Sequence, residues 1–257
     1  MSTTRQFSPD PGGYPIRGLA QTFQDGAVID AHTHPWAQLI YAARGVMQVS
    51  TPAATWMVPP TRAIWVPGGT AHAIRMRGQV AMRTLYLTPI DPDARLTACR
   101  AIEVAPLLRE LILHLVQLRM LRLDNEAQQR LVGLLLDLLA AGETAPLELP
   151  MPRDPRARRL AERIMEQPGA EASLAELARG AGGSLRTLQR LFQAETRLTL
   201  ETWRARARMQ QAVAALAGGA PVTATALEAG YASPSAFVAA FRRTFGVTPS
   251  RYRARAA

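Results

Sequence analysis

Two stretches of this chain repeat one local pattern, and the duplication limits what its C-terminal half can become. In "ASLAELARGAGGSLRTLQRLF", Ala172 to Phe192, Ser173 and Glu176 have the spacing of a capping box. Leu174, Leu177 and Ala178 give the helix that follows a small apolar face, and "GAGG" ends it. Ser184 is placed to cap a second helix, whose apolar positions are Leu185, Leu188, Leu191 and Phe192. Arg186, Thr187, Gln189, Arg190 and Gln193 are left off that stripe. A second copy starts at Pro221, in "PVTATALEAGYASPSAFVAAFRRTFGVTPSRYR". There Ser233 caps, Pro234 takes the first helical position, and Phe237, Phe241 and Phe245 share a face. Between the copies "TLETWRARARMQQAVAAL" reads as one helix, about Leu200 to Leu216, long enough to hold two motifs a DNA turn apart, roughly 34 Å.

Charge separates the chain into the same halves. All thirty basic residues are arginine. Residues 1–152 hold 13 of them against 12 acidic residues, and residues 153–257 hold 17 against 8. A neutral half joined to a strongly basic one suits a nucleic-acid-binding domain attached to something else. Two short helices across a glycine turn, the second with polar side chains outward, are a helix-turn-helix. Arginine can fork onto guanine and glutamine onto adenine in the major groove.

Residues 156–255 resemble the DNA-binding domain of the AraC/XylS family. The match is densest in "ALEAGYASPSAFVAAFRRTFGVTPSRYR", with its Gly-aromatic pair, Ser-Pro-Ser, spaced phenylalanines and Gly-Val-Thr-Pro. The resemblance implies base-reading positions at Arg186, Gln189 and Arg190 in the first recognition helix. In the second it implies Ser235, Ala236 and Ala239. Relatives commonly carry arginine where this chain has Ala239. A face of Ser235, Ala236, Val238 and Ala239 can touch thymine methyls but cannot fork onto guanine. Arg242 and Arg243 remain to hold phosphates, so specificity is expected mainly from the first motif.

The neutral half has a different texture. From Ile16 to Leu87, short runs such as "QLIYAA", "VMQVS", "TWMVP", "AIWVP" and "AMRTLYL" alternate with Gly and Pro, as in a β-sandwich or barrel. Between Ile102 and Leu123, Leu107, Leu108, Leu111, Leu115 and Leu118 suggest a helical stripe. Asp124 suggests the cap of a second helix reaching Ala141. Residues 142–155 carry four prolines, a spacing that argues against any regular element and for a linker. The expected organisation is a barrel over 1–98, helices over 99–141, that linker, and a DNA-binding domain over 156–257. The fold class is α+β multidomain, a cupin-like β-barrel plus helices followed by an all-α domain with two helix-turn-helices.

Within the barrel, "AHTHPWAQ" places His32, His34 and Gln38 at one parity, so that one strand could present all three on one side. Gly26, His32, His34 and Gly45 follow G-x5-H-x-H…G, and Pro67, Gly69 and His72 follow P-x-G-x2-H. This region resembles a cupin, the barrel that AraC-type regulators often carry as an effector-binding domain. The resemblance implies a metal site at His32, His34, Gln38 and His72, with Gln38 also lining an effector pocket beside Trp36. Gln38 stands where a catalytic cupin has glutamate, and a neutral amide cannot act as a general base. Three imidazoles still suit zinc or nickel; the alternative is that they hydrogen-bond Gln38 and an organic effector. Trp36 is placed to stack on a flat ligand, Trp56 and Trp65 belong with core, and Arg44, Arg62, Arg75 and Arg77 are candidate anchors for an anion. Cys99, alone in the chain, is read as structural and permits no internal disulfide.

These features predict a cytoplasmic, non-enzymatic regulator of transcription. Its partners would be double-stranded operator DNA, a small-molecule or metal effector, a second copy through Leu131, Leu134, Leu135 and Leu138, and RNA polymerase if it activates. No membrane span is evident, and the polar Met1 to Gly13 lacks the features of a signal peptide. The rivals are a metal-dependent cupin dioxygenase or isomerase fused to a DNA-binding domain, and a constitutive regulator whose barrel only dimerises.

Overall fold

The computed structural model describes residues 16–88, 96–122, 124–142, 148–166, 172–245 and 247–256. Expectations for Met1 to Gly13, for residues 143–147 of the linker, for Leu123 and for Gly246 lie outside these. The described residues form two compact units. One holds residues 16–51 and 58–142, and the other holds residues 52–57 and 148–256.

The first unit is an antiparallel sheet, a cupin-like barrel. It is built of β1 (Ile16–Phe23), β2 (Val28–His32), β3 (Ala37–Ser50), β5 (Arg62–Val66), β6 (His72–Leu87), β7 (Arg100–Glu103) and β8 (Met120–Leu121), while β4 (Ala54–Val58) falls mostly in the second unit. The order is β7-β5-β3-β6-β1-β8, with β2 also on β6. Along β6 the even residues His72, Ile74, Met76, Val80, Met82, Thr84 and Tyr86 are buried on one face. On β3 the pairing slips between Ala42 and Val46. Parity therefore changes: Gln38 and Ile40 share the inner face with Met47 and Val49.

The outer face is covered by α1 (Pro106–Leu118) and α2 (Glu126–Ala141). Ile16, Leu39, Tyr41, Trp65, Leu85 and Leu87 pack there against Leu108, Leu111, Ile112, Leu115, Leu135 and Leu139. The helix expected over 102–123 is shorter, because Arg100–Glu103 and Met120–Leu121 pair as strands. Its buried stripe is Leu108, Leu111, Ile112, Leu115 and Val116, so Leu107 and Leu118 are on the exposed side. The cap of α2 is Asn125 rather than Asp124; its side chain accepts from the Gln128 N–H at 3.1 Å. Leu135 is fully buried within its own unit and is not available to a second copy. Leu131 and Leu138 are partly buried on the same core, and Leu134 is exposed.

In the second unit, β4 pairs with β9 (Glu148–Pro150). The proline-rich linker therefore does contain a strand. Pro150 opposes Ala54, a sheet-edge position where a missing N–H costs nothing, and its carbonyl accepts the Trp203 indole N–H at 2.7 Å. Seven helices follow among the described residues: α3 (Pro155–Glu166), α4 (Leu174–Gly180), α5 (Leu185–Thr196), α6 (Leu200–Ala217), α7 (Val222–Glu228), α8 (Pro234–Phe245) and α9 (Pro249–Ala256). The α4–α5 and α7–α8 pairs are the two helix-turn-helices. Their turns pass through Gly182 at φ 85° and Gly230 at φ 73°, a conformation that side chains with a Cβ disfavour.

The expected capping box is present. Ser173 accepts from the Glu176 N–H while the Glu176 carboxylate accepts from the Ser173 N–H. One core joins α3 to α6 around Leu160, Phe192 and Trp203, and another joins α6 to α9 around Val213, Phe237, Phe241 and Tyr252. At 18 residues, α6 spans about 27 Å, so it does not by itself span a DNA turn of roughly 34 Å. Among the described residues no helix is long and apolar enough to cross a membrane.

Phe241 is completely buried between the rings of Phe237, Phe245 and Tyr252. Phe241→Ala is expected to destabilise this domain by about 3–5 kcal/mol, read as a lower urea midpoint. A shift of less than about 1 kcal/mol would show the core able to close around the lost ring.

Candidate ligand and DNA sites

His32, His34 and His72 meet at one end of the inner face, with one nitrogen of each within 4.8 Å of the others. One strand does not present them. His32 ends β2, His34 and Trp36 lie in the connecting turn, and Gln38 is the second residue of β3. His32, His34 and Gln38 come together from the end of one strand, a turn and the start of the next, not along one strand as their parity suggested. A contact between loops holds the turn: the Gly69 N–H donates to the His34 carbonyl at 2.8 Å. A Cβ on Gly68 would sit 2.2 Å from the Pro35 carbonyl oxygen, so only glycine allows this approach. His72 completes the group as the direct cross-strand partner of His32.

The hydrogen bonds fix which atoms face the centre. Each Nδ1 lies against a backbone carbonyl, which can only accept. His32 donates to Asp30 at 2.9 Å, His34 to Trp36 at 2.7 Å and His72 to Thr70 at 2.9 Å. The Nδ1 atoms thus carry the protons, and each neutral ring is left with a lone pair on Nε2. The Thr84 hydroxyl donates to the Leu39 carbonyl at 3.0 Å, so it accepts from the Gln38 amide at 2.9 Å. That turns the Gln38 Oε1 toward the histidines, 3.1 Å from His34 Nε2 and 2.9 Å from His72 Nε2. These contacts bring lone pair to lone pair.

A cation placed between these atoms would relieve that opposition. A proton is disfavoured, since burial pushes His72 from 6.5 down to about 4, with the other two histidines adding to the effect. Donors about 2.1 Å from one metal lie about 3.4 Å apart in a tetrahedral shell and about 3 Å apart at right angles, and the 2.9 and 3.1 Å found match the right-angled case. The Nδ1 contacts are the outer hydrogen bonds that orient metal-binding imidazoles. Among the described residues no carboxylate joins the group. The residues present therefore fit a divalent transition metal with an all-neutral donor set.

Around this centre, Trp36 stacks near His34 with centroids 6.2 Å apart, and the Tyr86 ring stands edge-on to His34 at 5.4 Å. Burial pushes the Tyr86 phenol up to about 12, and Arg17 opposes that rise. Arg17 is the cross-strand partner of Tyr86 and was not among the expected anchors. The four that were expected lie elsewhere. Arg75 and Arg77 have the parity opposite to His72, Arg62 pairs with Glu103 at 3.0 Å, and Arg44 is exposed. Trp65 and Trp56 are core; the Trp65 indole donates to the Leu96 carbonyl at 2.7 Å. Cys99, the single cysteine of the sequence, is partly buried.

On α5, Ser184 accepts from the Thr187 N–H at 3.2 Å and its hydroxyl also bonds that of Thr187 at 2.9 Å, so both residues serve the cap. Arg186 and Arg190 are exposed. Gln189 is half-buried, and its amide donates to Glu201 on α6 at 3.1 Å, a partner the sequence pattern did not suggest. On α8, Ser233 accepts from the Ala236 N–H at 3.2 Å. Ser235, Ala236, Ala239, Arg242 and Arg243 are exposed, while Val238 is half-buried.

A barrel with a polar, ligand-ready end and a domain of paired helix-turn-helices define a ligand-responsive DNA-binding protein. Residues 177–255 match the helix-turn-helix domain family, and residues 13–149 match the AraC-like ligand binding domain family. The chain is 33% identical over 224 residues to the HTH-type transcriptional regulator NimR of Escherichia coli (strain K12), covering 87% of this chain and 82% of that one. It is 37% identical over 103 residues to the HTH-type transcriptional regulator RipA of Corynebacterium glutamicum, covering 40% and 31%. The solved structure of ToxT from Vibrio cholerae O395 aligns with 93% of this chain and 97% of its own, at 9% identity and a TM-score of 0.40. The chain belongs to the AraC family. It is a transcription regulator with an N-terminal ligand-binding domain and a C-terminal helix-turn-helix DNA-binding domain.

The depressed His72 value has a consequence for stability. The unfolded chain takes up a proton near pH 6.5, whereas the folded chain resists it until about pH 4. The contribution of neutral His72 is complete above that window and is lost as pH falls through it. Chelator-treated protein is expected to melt at lower temperature as pH drops from about 7 to about 5, with a shallower drop for His72→Gln. Equal slopes would remove His72 as the cause.

Proposed function

We propose that His32, His34, His72 and Gln38 hold zinc or nickel, and that the barrel of this regulator reports that metal, or a ligand on it, to its DNA-binding domain. The observation that carries the reading is the convergence of the Gln38 Oε1 on two imidazole lone pairs at 2.9 and 3.1 Å. A bound metal would supply concentrated positive charge, and an ion with a five- or six-coordinate shell would keep room for an exogenous ligand beside these four donors. The metal would serve sensing without turnover: Gln38 is neutral, and among the described residues no carboxylate joins the group to take a proton. For an effector to regulate, it must bind two arrangements of the protein with different affinity.

On DNA, the reading assigns base contacts chiefly to Arg186, Gln189 and Arg190. Arg242 and Arg243 are assigned to phosphates, with Ser235, Ala236 and Ala239 as a shallow apolar contact. A homodimer in the cytoplasm, on a repeated operator, suits this monomer with two reading helices. If it activates, RNA polymerase is a further partner.

Elemental analysis tests the metal. Wild type should carry about one zinc or nickel per chain and His32→Ala/His34→Ala essentially none; wild type that stays metal-free after zinc or nickel is added overturns the assignment. A constitutive regulator would show DNA affinity unmoved by loading. Arg190→Ala should cost about 1–3 kcal/mol on the preferred operator and relax specificity. Arg242→Ala should weaken all sequences alike and reduce the salt slope by about one. Reversed outcomes would exchange the roles of the two helices.

A further inference from the structure

We propose that the metal held by His32, His34, His72 and Gln38 takes as its effector a small planar organic anion, ligated through its anionic atom, with its ring against Trp36 and its charge complemented by Arg17. This rests on the metal reading above and adds the chemistry of the ligand. Three observations carry it.

The first is charge. Every donor at the centre is neutral, so a divalent ion keeps its full charge there. The nearby carboxylate of Asp30 gives no relief: its residue is exposed, and only its backbone carbonyl engages His32. Arg17 adds a further positive charge to the same face. It is register-paired with Tyr86, and directly opposed residues project to one side of a sheet. Tyr86 in turn packs edge-on to His34. An anion is the ligand such a site selects.

The second is the shape of the opening. Gln38 and His72 are each 1% exposed, whereas His32 and Trp36 are only partly covered. A ligand therefore approaches on the His32 and Trp36 side. Trp36 lies within 29° of parallel to the His34 ring, so its plane is set for a flat partner.

The third is depth. Below the centre the inner face is filled by Ile40, Ile64, Ile74, Met76 and Met82, none more than 2% exposed. A ligand seated at the metal stays at the mouth, which favours one ring over a long chain.

The full-length protein loaded with Co2+ provides the test, because its d–d absorption reports ligands entering the metal shell. Benzoate, acetate and benzamide are titrated in turn. Benzoate is expected to change the spectrum saturably, about fivefold more tightly than acetate, and benzamide not at all. Trp36→Ala should abolish the preference for benzoate over acetate. Arg17→Gln should weaken both anions about tenfold with cobalt stoichiometry unchanged. The Trp36 change keeps the backbone carbonyl that His34 uses, so the site survives it. Stoichiometric cobalt with no response to any anion, equal response to benzamide, or an intact benzoate preference in Trp36→Ala overturns this inference and leaves the metal reading standing. Failure of cobalt to load overturns both.

Discussion

The ligand site depends on one proton. The Thr84 hydroxyl has a single hydrogen, and the Leu39 carbonyl takes it. Thr84 can then only accept from Gln38, and the Gln38 amide has to turn its oxygen inward. A carboxylate at position 38 would not need this arrangement, since both its oxygens are acceptors. A glutamine does need it, because the reversed amide would present N–H groups to the imidazoles and satisfy them without any ion. The Thr84 bond is thus what separates a cation site from a closed hydrogen-bond network built of the same residues. Leaving the lone pairs opposed and uncompensated in a buried place is costly. The fold accepts that arrangement at the end of the face where the sheet opens, and fills the rest with apolar side chains.

The same register carries the rest of the site. Because Gln38 pairs with Tyr86, Thr84 falls opposite Ile40, and its hydroxyl reaches the carbonyl of the residue between them. On the other side of β6, Tyr86 pairs with Arg17. None of this follows from the local sequence. Thr84 is 46 residues from Gln38, and only strand pairing makes them neighbours. His32, His34 and Gln38 were legible because they are close in sequence, and His72 because it closes a second motif, P-x-G-x2-H, spaced as in a cupin. The supporting residues Thr84, Tyr86 and Arg17 were not, because long-range register leaves no periodic mark. The bulge near Ala42 to Val46 also defeats any parity argument carried along the whole of β3.

In the basic half, more of the fold could be read directly, for a physical reason. Capping boxes, N-cap serines and helix periodicity are settled within four residues, so Ser173, Glu176, Ser184 and Ser233 signal their roles locally. Sequence and structure differ where two local signals compete or where tertiary pairing decides. Asp124 and Asn125 are both good caps, and the chain uses the second. The prolines near residue 150 argue against a strand on propensity. They say nothing of an edge position, where β4 pairs with Leu149 and the indole of Trp203 claims the Pro150 carbonyl.

The contact between Gln189 and Glu201 refines how the first recognition helix can read DNA. A carboxylate beside a base-reading glutamine looks self-defeating, since it repels phosphate and occupies the amide. The amide nitrogen has two hydrogens, however, and Glu201 accepts one of them. The other hydrogen and the oxygen remain, and those two are what adenine requires at its N7 and N6. Held in this way, the side chain gives up rotational freedom before binding rather than during it. Arg186 and Arg190, both exposed, supply the attraction that Glu201 subtracts. On the second helix, Ser235, Ala236 and Ala239 have no comparable group to orient. The two motifs therefore share a backbone design, while of the two helices only α5 carries a side-chain amide oriented by a neighbouring helix.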